Sequence, residues 1–282
     1  MQIIKNILPM QEAAAKAKRK GKTIGFVPTM GALHEGHASL LKQCRKDNDI
    51  SVLSIFVNPK QFGPQEDFAN YPREEKKDCL LAKKEKVDII FYPSMKAMYA
   101  EGYLTYIDVE SLNSKLCGQF RPGHFKGVAT IVGKLLNIVS PDILYLGQKD
   151  AQQCVVLQKM ITDLNWPVKV KVMPTVREPD GLAMSSRNKY LTVQERLQAP
   201  ILYKALLQAK KAVTQGERDA TKIRYLIETL IRENSASHID YVECVDSNTL
   251  LPLKTLSGKV LIAIAVKFGQ ARLIDNIVLN IS

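Results

Sequence analysis

Two histidines stand three residues apart in the segment Pro28–His37, which reads PTMGALHEGH. The segment leaves an apolar run, passes a glycine and enters an amphipathic stretch, so it predicts a strand, a tight turn and a helix. Residues three apart share a helix face, so His34 and His37 can address one ligand. A helix start that follows a parallel strand suits phosphate. A single histidine here would most often cap or pack the helix, but the pair favours a nucleotide site.

A second segment, Met184–Arg187, reads MSSR and follows a Pro-Asp-Gly turn. Two hydroxyls and a cation suit a mobile loop that grips the β- and γ-phosphates as pyrophosphate departs. The tetrapeptide means nothing alone. An HxGH turn after the first strand, however, resembles the nucleotidyltransferase superfamily, whose class I aminoacyl-tRNA synthetases carry a Lys-Met-Ser-Lys-Ser loop far along the chain. The pairing of the two segments gives the tetrapeptide its value.

A third segment, Gly147–Gln153, reads GQKDAQQ and follows the apolar run DILYL. Glycine at a strand end and an acidic residue at a helix start indicate another ligand loop at the same sheet edge. Lys149 would bring positive charge to a triphosphate or to the transition state. Asp150 has two interpretations, as a ligand-loop residue or as a helix cap.

Two further segments carry polar groups without forming a strong motif. The loop Asn58–Tyr71 is long for a compact domain, as lids and binding loops are, and its Asn58 and Gln61 offer uncharged donors and acceptors. The segment QFRPGHFKGVAT holds Arg121 and His124 in a Gly/Pro turn. The roles of these two residues stay open.

These segments need a scaffold, and the rest of the pattern predicts one. Short β-branched runs alternate with amphipathic stretches up to about residue 185, which is typical of βαβ units and a parallel, Rossmann-like sheet. Helices and then clustered strands follow, which predicts a smaller α+β domain. We expect an α/β protein with a Rossmann-like domain at 1–185 and a smaller α+β domain at 186–282 as a lid. The predicted strands are Thr23–Pro28, Ile50–Val57, Asp88–Tyr92, Leu104–Val109, Asp142–Leu146 and Val168–Val172, then His238–Val245, Lys259–Lys267 and Ala271–Leu279.

Composition narrows the classes of function. The chain has 282 residues, 46% apolar side chains and a formal net charge of +12. Its longest apolar run is too short for a membrane span, and its start has no signal-peptide pattern, so we expect a cytoplasmic protein. The five scattered cysteines form no CxxC pair and suggest neither zinc nor disulfides. Basic residues are spread over predicted helices, so the charge alone does not indicate nucleic acid.

Taken together, the five segments closely resemble the pantothenate synthetase family from about Thr23 to Leu191. The resemblance implies condensation of (R)-pantoate with β-alanine, driven by ATP through a pantoyl-adenylate, with release of pyrophosphate and AMP. It implies that the domain at 1–185 binds ATP and pantoate, and it implies Mg²⁺ as cofactor and a homodimer. His37 would be the catalytic acid, with His34, Lys149 and Arg187 as the other catalytic candidates. Gln61 and Gln153 would hold pantoate, with Gln61 also near β-alanine. The implied ATP contacts are Met30, Gly31, Ala32, Leu33, His34, Glu35, Gly36, His37, Gly147, Gln148, Lys149, Asp150, Val176, Met184, Ser185, Ser186 and Arg187.

Two other functions explain part of the pattern. A nucleotidylyltransferase that transfers AMP or CMP to a phosphorylated acceptor shares the HxGH turn, but the uncharged Gln61 and Gln153 argue against a phosphorylated acceptor. An RNA-binding module or a truncated tRNA synthetase would suit the charge of +12. It would need an anticodon-binding region or a basic, aromatic-rich segment, and the chain has neither. We therefore expect small-molecule partners, no nucleic acid and no membrane.

Overall fold

The computed structural model describes residues 1–64 and 66–281, which pack as two compact units. The first unit comprises Met1–Ser114, Arg121–Gly147 and Val156–Pro174. The second comprises Lys115–Phe120, Gln148–Val155 and the chain from Thr175 onward. These are units of packing, and the functional division into 1–185 and 186–282 stays a prediction.

The first unit is built on a six-stranded sheet in which every pair of neighbours is parallel, as expected for a Rossmann-like fold. The strand order is β1-β4-β3-β2-β5-β6. The strands are β1 (Gln2–Ile4), β2 (Ile24–Thr29), β3 (Ile50–Ile55), β4 (Ile89–Phe91), β5 (Ile143–Gly147) and β6 (Lys169–Met173). The helices that accompany them are α1 (Ile7–Arg19), α2 (Glu35–Asp47), α3 (Glu75–Lys84), α4 (Met95–Met98), α6 (His124–Val139) and α7 (Ala151–Asp163), whose first residues belong to the second unit.

The central strands are buried along most of their length, which explains their unbroken apolar sequence. In β2, Ile24 to Val27 are buried, and in β3 every residue from Ser51 to Ile55 is buried. A parallel sheet covered on both faces requires this composition. Because β2 lies between β3 and β5, its carboxyl end is a point where the strand order changes direction, and such points are where open α/β sheets bind ligands.

The second unit contains a three-stranded antiparallel sheet with helices packed against it. Its strands are β7 (His238–Asp246), β8 (Gly258–Phe268) and β9 (Ala271–Ile281), in that order. Its helices are α5 (Cys117–Phe120), α8 (Val193–Gln198), α9 (Ile201–Thr214) and α10 (Ala220–Asn234). The faces of α9 and α10 supply the core, with Leu206 and Ile227 fully buried against strand residues such as Ile264. This is the α+β arrangement that the sequence predicts.

Two element predictions are wrong. No strand forms at Leu104–Val109, where the backbone N–H of Ile107 donates to the Thr130 hydroxyl (2.9 Å) instead of to a strand partner. The sequence after Thr192 predicts one long helix, but the structure divides it into α8 and α9. The break falls at Pro200, since proline has no N–H with which to continue the helical hydrogen bonds. Within residues 1–64 and 66–281, no helix is both long and apolar enough to cross a membrane.

Candidate active site

The two histidines of the HxGH segment cap the start of α2 through reciprocal hydrogen bonds. The Nδ1 atom of His34 accepts from the backbone N–H of Gly36 at 3.1 Å. The Nδ1 atom of His37 accepts from the backbone N–H of His34 at 3.3 Å, so the pair forms a reciprocal capping box. The ring centroids are 4.1 Å apart. The capping role and the ligand role are therefore compatible, since capping uses only Nδ1.

This arrangement selects the tautomer of both rings. A nitrogen that accepts a hydrogen bond carries no proton, so each neutral ring carries its proton on Nε2. His34 and His37 can thus both present an Nε2–H donor, and both are half-buried. Two such donors on one helix face suit an anion in which negative charge develops, such as a phosphate undergoing substitution.

The turn before α2 is held by hydrogen bonds to a carboxylate from α3. The side chain of Asp78, which is 2% exposed, accepts from the backbone N–H of Ala32 (3.0 Å) and of Leu33 (2.7 Å). Ala32 and Gly31 have positive φ angles of 50° and 85°. A Cβ on Gly31 would lie 2.9 Å from the Asp78 carboxylate, so this position needs glycine. The amides of Ala32 and Leu33 thus have a protein acceptor in Asp78.

Gln61 is fixed in the first unit by neutral partners on both ends of its amide. Its Oε1 accepts from Asn58 Nδ2 at 3.0 Å, and its Nε2 lies 3.1 Å from the sulfur of Met30. Asn58 is in turn held by the Tyr99 hydroxyl, which donates to Asn58 Oδ1 at 2.8 Å. Met30 begins the histidine turn, so the structure brings Gln61 to that turn, as a shared site requires.

The backbone of Gln61 is held by a second network that includes Arg121 and His124. Arg121 makes a two-pronged ion pair with Glu66 (2.7 and 2.6 Å) and lies 3.1 Å from His124 Nε2. His124 Nδ1 donates to the carbonyl of Gln61 at 2.8 Å. Burial tends to raise the pKa of the Glu66 carboxyl, but the hydrogen bonds and charge of Arg121 outweigh it and hold that pKa below its usual value.

In the second unit, the segment after β5 forms a short 3-10 turn, Gln148–Asp150, that leads into α7. The Lys149 ammonium lies 3.5 Å from the Asp150 carboxylate. Gln153 follows in the first turn of α7 and is half-buried. Its neighbour Gln152 is buried and structural: it accepts from the backbone N–H of Cys117 and donates to the Lys115 carbonyl.

The MSSR segment follows a narrow hairpin. Met184 N–H donates to the Val176 carbonyl (3.0 Å), and Arg177 pairs with Ala183 across the hairpin. Ser185 then caps the 3-10 helix Ser186–Tyr190 by accepting from the Arg187 N–H at 3.2 Å. Lys149 and Ser185 line one small cavity of the second unit, whose full lining is Lys149, Leu182, Ala183, Ser185, Asn188, Leu202, Leu273, Ile274 and Asp275.

Comparisons with known proteins match nearly the whole chain. The model of the pantoate-beta-alanine ligase family matches residues 2–278. The chain belongs to this family. A pantothenate synthetase from Caldicellulosiruptor bescii is 52% identical over 280 residues, covering 99% of each chain. One from Sulfurihydrogenibium is 53% identical over 278 residues, covering 98% of this chain and 99% of the relative.

Solved members of the pantoate-beta-alanine ligase family share the fold. The pantothenate synthetase of Thermus thermophilus superposes with a TM-score of 0.93 at 41% identity, over 98% of this chain and 99% of that one. The Francisella tularensis enzyme, described as complexed with beta-gamma ATP and beta-alanine, gives 0.80 at 34% identity, over 98% and 97%. The predictions of family, fold class and enzyme class are therefore confirmed.

The pantoate-beta-alanine ligase fold distributes the predicted site residues between the two units. The first unit brings together Gln61 and the turn Met30–His37, in which Glu35 is exposed. Gly147 ends β5 in the same unit. The second unit holds Gln148, Lys149, Asp150, Gln153, Val176, Met184, Ser185, Ser186 and Arg187. The ligand roles of these residues stay predictions.

Sequence reasoning missed several residues that support the site. Nothing in the sequence around Asp78 or Glu66 sets them apart from other acidic residues, and only their distant partners distinguish them. Asp275 and Asn276 could have been found from the sequence, because two adjacent polar residues interrupt the apolar strand LIDNIVL. The structure shows that both are buried. A buried polar pair in a strand needs hydrogen-bond partners and so points to a site.

Proposed function

We propose that this protein joins (R)-pantoate to β-alanine at the expense of ATP, through a pantoyl-adenylate, and releases pantothenate, AMP and pyrophosphate. Membership of the pantoate-beta-alanine ligase family over residues 2–278 carries the proposal. The histidine pair on α2 supports the adenylate route, because its two Nε2 donors suit a phosphoryl group under attack.

In the first step, a pantoate carboxylate oxygen attacks the α-phosphorus of ATP, and the bond to the bridging pyrophosphate oxygen breaks. Two anions must meet, and negative charge builds on the leaving group. His37 and His34 would donate hydrogen bonds from Nε2, with His37 as the acid. Lys149 and Arg187 would offset the charge of the departing pyrophosphate. Removal of one such donor typically costs about 3–4 kcal/mol of transition-state stabilisation.

In the second step, the unprotonated amine of β-alanine attacks the acyl carbon, and the bond to AMP breaks. Gln61 and Gln153 would hold pantoate through neutral amides, which pair with its hydroxyls and carboxylate without a counter-charge that would reduce nucleophilicity. Gln61 would also lie near β-alanine. The amide of Gln61 is already oriented by Asn58, so its placement costs little upon binding.

The residues present suit Mg²⁺ that arrives with the nucleotide. Within the described part of the chain, no three His, Cys, Asp or Glu side chains cluster as a metal site. Magnesium commonly uses one or two carboxylates together with substrate phosphates, and Asp150 offers such a carboxylate beside Lys149. When bound, Mg²⁺ would neutralise part of the triphosphate charge.

An acyl-adenylate hydrolyses easily, so the site needs to exclude water. We assign this role to the C-terminal region 186–282 as a lid, with the Asn58–Tyr71 loop as a second cover. The ATP contacts would come from the three segments Met30–His37, Gly147–Asp150 and Met184–Arg187, together with Val176.

We further propose a cytoplasmic homodimer. The segment around Leu104 supports an interface, because Leu104 is 87% exposed and Tyr106 beside it is also exposed. Such a pair on a surface suits contact with a second copy. Sedimentation velocity would test it: Leu104→Asp should shift a dimer to monomer, and an unchanged dimer would place the interface elsewhere.

The decisive experiment for the reaction is exchange of labelled pyrophosphate into ATP. Exchange should require pantoate and should proceed without β-alanine, because the acid is activated before the amine reacts. Exchange that needs β-alanine, or that runs with no acid, would contradict the adenylate mechanism. Transfer of AMP to a phosphorylated acceptor would support a nucleotidylyltransferase instead.

A further inference from the structure

Two adjacent side chains of β9, Asp275 and Asn276, contact the two segments of the second unit that we assign to phosphate. Both side chains are buried, with residue exposures of 3% and 4%. They lie opposite Ile264 and Ala263 of the central strand β8, so their backbone is held by an antiparallel ladder. Their polar groups face these two segments rather than solvent.

Asn276 holds the Gln148–Asp150 turn by its backbone. Its Nδ2 donates to the carbonyls of Gln148 (3.0 Å) and Lys149 (2.9 Å). Its Oδ1 accepts from the Gln148 side chain at 3.0 Å. The nitrogen and the oxygen of the Asn276 side-chain amide together therefore bind two consecutive residues, Gln148 and Lys149. Because two successive carbonyls are fixed, the direction in which Lys149 leaves the backbone is fixed as well.

Asp275 holds the hairpin that precedes MSSR. Its carboxylate accepts two hydrogen bonds from Arg177, at 2.6 and 2.9 Å. Arg177 also donates to the Gly181 carbonyl at 3.1 Å, and its guanidinium lies 3.6 Å from the centre of the Tyr203 ring. Arg177 thus links the start of the hairpin and its turn to one buried carboxylate, and the hairpin leads into Met184 and Ser185.

The two contacts are linked within the strand. The backbone N–H of Asn276 donates to the same Asp275 oxygen that accepts from Arg177, at 2.8 Å. A two-pronged guanidinium–carboxylate pair is geometrically specific. A shift of β9 would therefore displace the Lys149 turn and the MSSR hairpin together.

We propose that Asp275 and Asn276 are positioning residues for adenylation, which act by fixing Lys149 and the Met184–Arg187 segment relative to each other. The inference rests on the proposed roles of Lys149 and Arg187. Neither β9 residue needs to touch substrate. A cation displaced by about 1 Å can cost up to about 100-fold in rate, so a distant side chain can have a catalytic effect.

A double-mutant cycle tests the first half of the proposal. In the full-length protein, Asn276→Ala should lower the pyrophosphate-exchange rate by about 10- to 100-fold, because Lys149 loses its placement. In a Lys149→Ala background, the same substitution should have less than a twofold further effect. The matched control is Asn280→Ala, which removes an exposed asparagine from the same strand and should leave exchange unchanged.

The outcomes distinguish the positioning role of Asn276 from the proposed function itself. Equal losses in both backgrounds would make Asn276 merely structural and overturn the inference while the proposed function stands. Full activity of Lys149→Ala alone would overturn both the role of Lys149 and the inference. Should Asn276→Ala unfold at the assay temperature, Asn276→Ser carries the same cycle, since its hydroxyl retains one donor. Asp275→Asn with Arg187→Ala forms the corresponding cycle for the hairpin.

Discussion

The Nδ1 atom of His124 lies 2.8 Å from the backbone carbonyl oxygen of Gln61. A carbonyl only accepts, so His124 is the donor, and its Nε2 then accepts from Arg121 at 3.1 Å. This geometry requires the neutral ring with its proton on Nδ1. The sequence left the roles of Arg121 and His124 open. In the structure they hold the backbone of Gln61, a residue that we propose binds substrate.

His124→Phe should raise the pantoate KM by about tenfold, because loss of this hydrogen bond costs about 1–1.5 kcal/mol. His124→Asn should recover most of the loss, since its amide can donate from near the Nδ1 position. His238→Phe is the control, because His238 is exposed on β7. Steady-state kinetics with varied pantoate would measure the effect, and an equal KM in His124→Phe and the wild type would contradict it.

The capping and chemical roles of His37 can be separated by substitution. His37→Asn keeps an acceptor near Nδ1 for the His34 N–H but has no group at Nε2, whereas His37→Ala loses both. Both variants should lose about 100- to 1,000-fold in pyrophosphate-exchange rate. Only His37→Ala should also lose about 0.5–2 kcal/mol of stability in urea unfolding. Near-normal exchange by folded His37→Asn would remove His37 from the chemistry.

The Glu66–Arg121 pair should make stability depend on pH in the acidic range. The pKa of Glu66 is lowered in the folded protein, so its stabilising contribution is fully present above the unfolded-state pKa, about 4.5. It is lost as pH falls through the lower folded-state pKa. The difference in unfolding free energy between wild type and Glu66→Gln should therefore be constant near neutral pH and shrink below about pH 4.5. A difference that grows upon acidification would refute the assignment.

Gly127 of α6 should tolerate no side chain. A Cβ there would lie 2.2 Å from the Lys60 carbonyl oxygen and 2.7 Å from the Gln61 nitrogen. Gly127→Ala should push this segment away, with a cost of about 1–3 kcal/mol of stability and a raised pantoate KM. Gly63→Ala is the matched control, because its nearest contact would be an ordinary 3.6 Å from Glu66. Equal KM values for the two variants would show that Gln61 does not depend on this close approach.

Gln153→Leu should separate the proposed pantoate pocket from the nucleotide pocket. Leucine keeps much of the volume but leaves pantoate's polar groups unpaired, which costs about 1–3 kcal/mol of binding. Pantoate affinity should fall while ATP affinity is nearly unchanged. Gln158→Leu, on an exposed position of the same helix, is the control. Equal losses of ATP and pantoate affinity, measured by calorimetry, would show that Gln153 does not contact pantoate alone.

The sequence by itself determined the features that depend on local periodicity. Apolar runs that alternate with amphipathic stretches predict the parallel sheet, because the periodicity of a strand or a helix is visible within a short stretch of neighbouring residues. The spacing of His34 and His37 predicted a shared helix face for the same reason. The tertiary structure adds that both Nδ1 atoms are occupied by the cap.

Only the tertiary structure decided which distant groups support these local features. Asp78 reaches the turn at Ala32 from 46 residues away, and Asn276 reaches Gln148 from 128 residues away. The segment Leu104–Val109 has a strand-like sequence, yet Thr130 of α6 takes its amide hydrogen bond. A buried polar group must find a partner, but packing, not the spacing of residues along the chain, chooses which partner is within reach.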